Sequence, residues 1–190
     1  KGNTRFMYIL PFAKNEALFE YTLFSKDLLP YDDYKLAIEK YLEDRNITNF
    51  EIVEKEQGSI PMTCYKFWEH NSKNIINIGT AGGWSKASTG FTFKNTTKKT
   101  AKLIAHLKQN KPLPEFHKIN KFWFYDLLLL DILSKKNHIG AFLFGKMFQK
   151  NPPKQILKFL DEDTSLSEDL QIQFKMPPIN FIKALFQRAF

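Results

Sequence analysis

Apolar residues follow two different periods along this chain. Residues 6–10 are an uninterrupted run of β formers closed by Pro11, and residues 17–24 form a second run. The segment between them, Phe12-Ala13-Lys14-Asn15-Glu16, has hairpin length. Pro30 followed by Asp32 and Asp33 marks a helix start. Tyr34, Ala37, Ile38, Tyr41 and Leu42 then recur at helical spacing until about Asn46. Residues 50–57 predict a third strand, with Ile52 alternating only loosely with Glu51 and Glu54, and residues 75–78 predict a short buried strand. A glycine-rich loop follows, then a basic helix over about 92–109, closed by Pro112 and Pro114.

From about residue 117 the spacing is helical throughout. It predicts helices over 118–135, 138–149, 152–160, 164–172 and 177–189. Pro152-Pro153 and Pro177-Pro178 stand at helix starts, where the missing N–H has no partner to lose. Ser165, with Glu168 three residues on, reads as a capping box. The fold class is therefore α+β. A small mixed β-sheet with flanking helices occupies residues 1–115, and an all-helical C-terminal tail occupies 116–190. The tail is dense in aromatics, among them Phe122, Trp123, Phe124, Tyr125 and Phe159. The plain reading is a helical core; the sharper one is an apolar channel or a membrane-facing surface.

Composition narrows the class. An aromatic share of 15%, with 19 Phe, is too rich in core formers for a disordered chain. The single cysteine, Cys64, excludes a disulfide framework and suits a reducing compartment. Cys64 has no His beside it and reads as packing, and the four histidines show no metal-ligand spacing, so no metal is expected. No apolar run approaches the ~18 residues of a membrane span, because Asp126 and Asp131 interrupt the longest one. The net charge of +8 points to anionic partners or to a merely basic surface. Lys98, Lys99, Lys102 and Lys108 on the basic helix read as a solvated face, and without interleaved aromatics they give no nucleic-acid partner.

Two segments carry candidate chemistry. The first runs from Gly79 to Phe91: Gly79-Thr80-Ala81-Gly82-Gly83-Trp84-Ser85-Lys86-Ala87-Ser88-Thr89-Gly90-Phe91. Glycines let the backbone approach a ligand, and the following helix start offers free N–H groups and partial positive charge. Together they suit a pyrophosphate or a flavin edge, with Ser88 or Thr89 as the helix cap; the alternative is a simple strand-to-helix turn. The second is Leu18-Phe19-Glu20-Tyr21-Thr22, where strand period puts Leu18, Glu20, Thr22 and Phe24 on one face. A buried Glu20 would favour its protonated form and act as a general acid. The alternatives are an exposed strand face or a salt bridge.

Taken in order, these segments resemble the flavoprotein lycopene cyclases. The resemblance is carried by Phe6 to Phe12, by Leu18-Phe19-Glu20-Tyr21-Thr22, by Ile60-Pro61-Met62 and by the Gly79–Phe91 loop. In the tail it is carried by Phe124-Tyr125-Asp126, Asp131-Ile132-Leu133 and Phe159-Leu160-Asp161. Two positions depart from the family's pattern. Tyr21 stands where the strand motif has a second carboxylate, and Ala87 where the loop usually has proline. The family's N-terminal dinucleotide-binding half, with its glycine fingerprint, has no counterpart here. The chain therefore looks like the C-terminal part of a two-domain FAD/NAD(P)-binding flavoprotein, and alone it is expected to be inactive.

The resemblance implies proton-initiated isomerisation of lycopene to a β-ring carotene. In it Glu20 supplies the proton, and Trp84, Phe91 and Tyr21 offer aromatic faces to the cation. It implies reduced FAD as cofactor and NAD(P)H as reductant. The loop residues Gly79, Thr80, Ala81, Gly82, Gly83, Ser88, Thr89 and Gly90 would contact the flavin. Partners would be the carotenoid, the N-terminal half of the same protein, and peripheral contact with the cytoplasmic inner face of a membrane. The competing readings are another FAD-dependent polyene or prenyl oxidoreductase or monooxygenase, and a non-catalytic basic module binding membrane or polyanion.

Overall fold

The computed structural model describes residues 2–189, with the Ala189 side chain left out. It is α+β and divides into two compact units, the first reaching Gly58 and including Leu133–Phe142, the second comprising Ser59–Ile132 and the residues from Leu143 onward.

In the first unit, strand β1 (Thr4–Ala13) pairs antiparallel with β2 (Glu16–Phe24), setting Tyr8 opposite Glu20 and Phe6 opposite Thr22. The hairpin is as expected, but β1 continues through Pro11 to Ala13. The register shifts there by a bulge, which accommodates a residue with no N–H to give the ladder. Asn137 ties the open end of the hairpin: its Oδ1 accepts from the Thr4 amide at 2.5 Å and its Nδ2 donates to the Phe24 carbonyl at 2.6 Å. Gly140 lies so close to Thr4 and Leu133 that a methyl group there would overlap both side chains. Helix α1 (Tyr31–Glu43) follows Pro30 as expected and buries Leu42. Its Tyr41 ring meets Phe19 of β2 at 6.3 Å.

The second unit begins with irregular chain and then carries α2 (Phe93–Lys108) and α3 (Lys121–Lys136), whose last turn belongs to the first unit. Helix α4 (Gly140–Lys150) likewise starts in the first unit. Helices α5 (Pro153–Leu160), α6 (Leu166–Phe174) and α7 (Pro178–Ala189) complete it. The proline pairs stand at the starts of α5 and α7. Ser165 and Glu168 form the full capping box, with the Glu168 amide donating to Ser165 Oγ and the Ser165 amide to the Glu168 carboxylate. Met147, Ile156, Leu160 and Ile172 form a core beneath Phe144, Phe159 and Met176. Burying each such side chain contributes about 1.5–3 kcal/mol.

The mixed sheet does not form: the described residues hold one two-stranded antiparallel hairpin. Residues 50–57 are irregular and exposed, since their charged neighbours leave Ile52 and Val53 without a face to bury. Residues 75–78 form no strand, and Ile75 and Ile78 are exposed rather than buried. Asn71 is the physical reason. Its side-chain oxygen accepts the Asn77 amide at 2.8 Å, a local bond that competes with ladder pairing.

Candidate active site

The glycine loop is held from inside the second unit. Gly79–Gly82 make one 3-10 turn, and the Trp84 amide returns to the Gly79 carbonyl at 2.9 Å. Gly83 is left-handed, with φ 66°, which favours glycine. Gly82 backs onto the Asn77 carbonyl so closely that any Cβ would overlap it. Thr80 and Ala81 form the exposed crest of this turn. The next turn closes between the Lys86 amide and the Phe91 carbonyl, and between the Gly90 amide and the Lys86 carbonyl, both at 2.8 Å.

Beneath the loop lies a buried charge network that the sequence reading did not anticipate. Lys86, Ser88 and Asp126 are 3%, 3% and 6% exposed. Asp126, on α3, accepts Ser88 Oγ at 2.6 Å and meets Lys86 Nζ at 2.9 Å. Lys86 also reaches Glu162 at 3.4 Å, and Asn120 donates to the other Glu162 oxygen at 3.1 Å. Burial pushes the Asp126 carboxyl above the usual range, opposed by the Lys86 charge and the Ser88 bond. Ser88 therefore does not cap α2, and neither does Thr89, whose hydroxyl accepts the Phe91 amide at 3.5 Å. Thr92 is the N-cap residue but makes no side-chain cap bond: its hydroxyl bonds the Gly90 carbonyl and Ser85. The first turn of α2 thus starts without a side-chain cap.

The lysines of α2 are not all a solvated face. Lys94 pairs with Asp161, Lys98 pairs with Asp163 at 2.7 Å, and half-buried Lys99 donates to the Gly83 carbonyl at 3.2 Å. Desolvation lowers the Lys99 ammonium below its usual range. A cavity of about 730 Å³ opens beside these groups, lined among others by Thr80, Ser85, Asn95, Lys99, Trp68 and Phe116. On its aromatic side His117 stacks on Trp68 with ring centroids 3.7 Å apart, and Trp123 meets Trp68 edge-on. Desolvation, then the Lys99 charge, brings the His117 imidazole down to about 4, so it is neutral near pH 7. Cys64 donates to the Trp123 carbonyl, and desolvation pushes its thiol up to about 12, in keeping with a packing role.

Trp84, expected to face a cation, is buried against Phe116 with centroids 6.1 Å apart. Phe91 is about half exposed. Glu20 and Tyr21 lie on the hairpin of the first unit. Glu20 is exposed, not buried as the acid reading required; the exposed-strand alternative holds in this chain. The reason is the hairpin's isolation as two strands, with no further sheet to cover it. Glu20 accepts Thr22 Oγ1 at 2.6 Å, and Tyr21 accepts from Arg5 at 2.9 Å.

One sequence signal did point to Asp126. Phe122 and Asp126 are four residues apart, so helical period places this carboxylate on the buried stripe of α3. A family model described as lycopene cyclase protein matches residues 1–186. No curated protein and no solved structure matches the chain.

Proposed function

The chain belongs to the lycopene cyclase family, which ties it to carotenoid cyclisation, and on that premise we propose that it is the C-terminal portion of a flavin-dependent lycopene β-cyclase. In this reading residues 1–115 supply the substrate-facing sheet with the flavin-contacting loop and helix, and residues 116–190 the helical subdomain. One observation carries it. The register places Glu20 on one hairpin face with Phe6, Tyr8, Leu10 and Leu18, all exposed and apolar or aromatic. Glu16 shares the strand period but stands at the turn end opposite Ala13, whereas Glu20 stands opposite Tyr8 in the middle of the apolar run. A hydrocarbon laid along the face would cover the acid and strip its water. Substrate binding itself would then create the dry site that protonation of an alkene needs.

The reaction balances without redox. Glu20 gives a proton to a terminal double bond of the polyene. The neighbouring double bond closes the ring onto the resulting cation, and loss of a ring proton restores neutrality and gives the β-ring. Phe6 and Tyr8, on the same hairpin face as Glu20, offer π faces that stabilise such a cation, whereas Tyr21 lies on the opposite face. Tyr21 is held edge-on to Tyr34 at 6.1 Å and by its bond from Arg5, which limits its reorientation.

The residues of the loop fit a flavin. The exposed crest of Thr80 and Ala81, with half-buried Gly79 beside it, presents backbone, and α2 begins with amides that no side chain caps. The neighbouring cavity combines aromatic walls with Lys99. These groups would hold the ring edge or pyrophosphate of FAD, while Gly82, Gly83, Ser88, Thr89 and Gly90 fix the loop's shape from within. When bound and reduced, with NAD(P)H as reductant, the flavin would supply stabilisation of positive charge. Peripheral membrane contact, through which the substrate is reached, belongs to the same reading; no helix among the described residues is long and apolar enough to cross a bilayer.

The test is pigment chromatography from a lycopene-accumulating bacterial host expressing the full reading frame that contains this chain. Wild type should convert lycopene to a cyclic carotene, and Glu20→Gln should not, at equal protein level. Conversion that survives Glu20→Gln would move the acid elsewhere. A folded, flavin-loaded wild type that oxidises its flavin without cyclising lycopene would replace the cyclase with an oxidoreductase.

A further inference from the structure

Helices α6 and α7 expose stripes of large apolar residues on the outside. On α6, Leu166, Leu170 and Phe174 follow at four-residue spacing along one exposed stripe, and Phe174 is 83% exposed. The opposite side of α6 buries Ile172 and Asp169, whose carboxylate accepts Thr164 Oγ1 at 2.5 Å and pairs with Lys121. Helix α7 repeats the arrangement. Ala184 is buried, while Ile179, Ile182 and Leu185 are exposed, Ile179 at 64%. A helix folded only for water would turn the isoleucines in and the alanine out.

Charge on these helices is equally one-sided. No Asp or Glu follows Asp169, whereas Lys175, Lys183 and Arg188 do. Arg188 is committed to a bidentate pair with Asp131. Lys175 and Lys183 are exposed: Lys175 follows Phe174 directly, and Lys183 lies one turn beyond Ile179. Glu168 is engaged by Lys158 and by the α6 cap. Exposed branched and aromatic side chains flanked by lysines, with carboxylates absent or engaged, suit the interface of an anionic bilayer. A second protein surface would more often meet such lysines with acids of its own.

We propose that the stripes Leu166-Leu170-Phe174 and Ile179-Ile182-Leu185 are the surface by which this chain docks on an anionic lipid bilayer, with Lys175 and Lys183 contacting headgroups. This rests on the peripheral-membrane reading above and assigns its surface. The experiment is flotation of the purified chain with phosphatidylcholine vesicles, with and without phosphatidylglycerol. Wild type should float with the anionic vesicles and less with neutral ones. The triple variant Phe174→Gln, Ile179→Gln, Ile182→Gln should lose binding by about tenfold or more, with an unchanged circular dichroism spectrum. Lys175→Gln with Lys183→Gln should remove mainly the preference for the anionic lipid.

A triple variant that floats like wild type would overturn the surface and leave membrane contact standing elsewhere. Equal flotation of wild type with both vesicle types would overturn the anionic assignment. A wild type that does not float would overturn both the surface and the membrane reading, with the cyclase reading still to be decided by pigment. If that wild type self-associates while the triple variant stays monomeric, a second copy covers these helices instead.

Discussion

Removal of the Asp126 carboxylate is the sharpest test of how the glycine loop is held. Asp126→Ala leaves the Lys86 ammonium 3% exposed, with only Glu162 at 3.4 Å, and leaves the Ser88 hydroxyl buried without its acceptor. Breaking a buried ion pair from one side costs about 3–5 kcal/mol. The remaining Glu162 contact places the expectation near the lower end, about 3 kcal/mol. At ~2–4 °C per kcal/mol for a chain of this size, the melting midpoint should fall by about 10 °C. Asp126→Asn keeps an acceptor for Ser88 but turns an amide donor toward Lys86, so it should cost about 2 kcal/mol, the scale of one charged hydrogen bond.

Because the chain folds as two units, a single midpoint can blend two transitions. Hydrogen exchange read by peptide resolves this. The Lys86 and Gly90 amides, bonded within the loop, should lose protection in Asp126→Ala, while hairpin peptides over Thr4–Ala13 keep theirs. The paired replacement Lys86→Met with Asp126→Leu removes both charges together and should recover much of the loss. A single variant within about 0.5 kcal/mol of wild type, or a stability loss with loop amides still protected, would refute the clamp.

Two further measurements follow from the aromatic side of the cavity. With its folded value at about 4 against an ordinary 6.5, His117 refuses a proton that the unfolded chain accepts. Its contribution is therefore fully present above pH 6.5 and is lost as pH falls toward 4. The full shift would be worth about 3 kcal/mol; with His117 only partly buried, about 1–2 kcal/mol is expected. Denaturant titrations of His117→Phe, which retains a ring against Trp68, should show a flatter pH dependence in that window; an unchanged slope would contradict it. Cys64, with its thiol at about 12, should react with a thiol-specific reagent at pH 8 only slowly in the folded chain and rapidly after denaturation. Equal rates would show that its desolvation is not real.

The sequence by itself determined what short-range chemistry decides. Pro30 before two aspartates, the Ser165–Glu168 capping box, the proline pairs and the helical spacing after residue 117 each act within one or two turns, and each became the element it predicted. The Phe6–Phe24 hairpin was legible for the same reason. The strands expected over 50–57 and 75–78 were not decided locally. A strand needs a partner edge, and local bonds from Asn71 and the charges around Ile52 removed the incentive to find one. Glu20 showed the same limit, because a period of two names the face of a strand but not what covers it. The Lys86–Asp126 pair joins residues 40 apart in sequence, and only tertiary packing could reveal that a carboxylate in α3 neutralises a lysine in the glycine loop. Burial made that pairing obligatory, since two charges so far from water are tolerable only together.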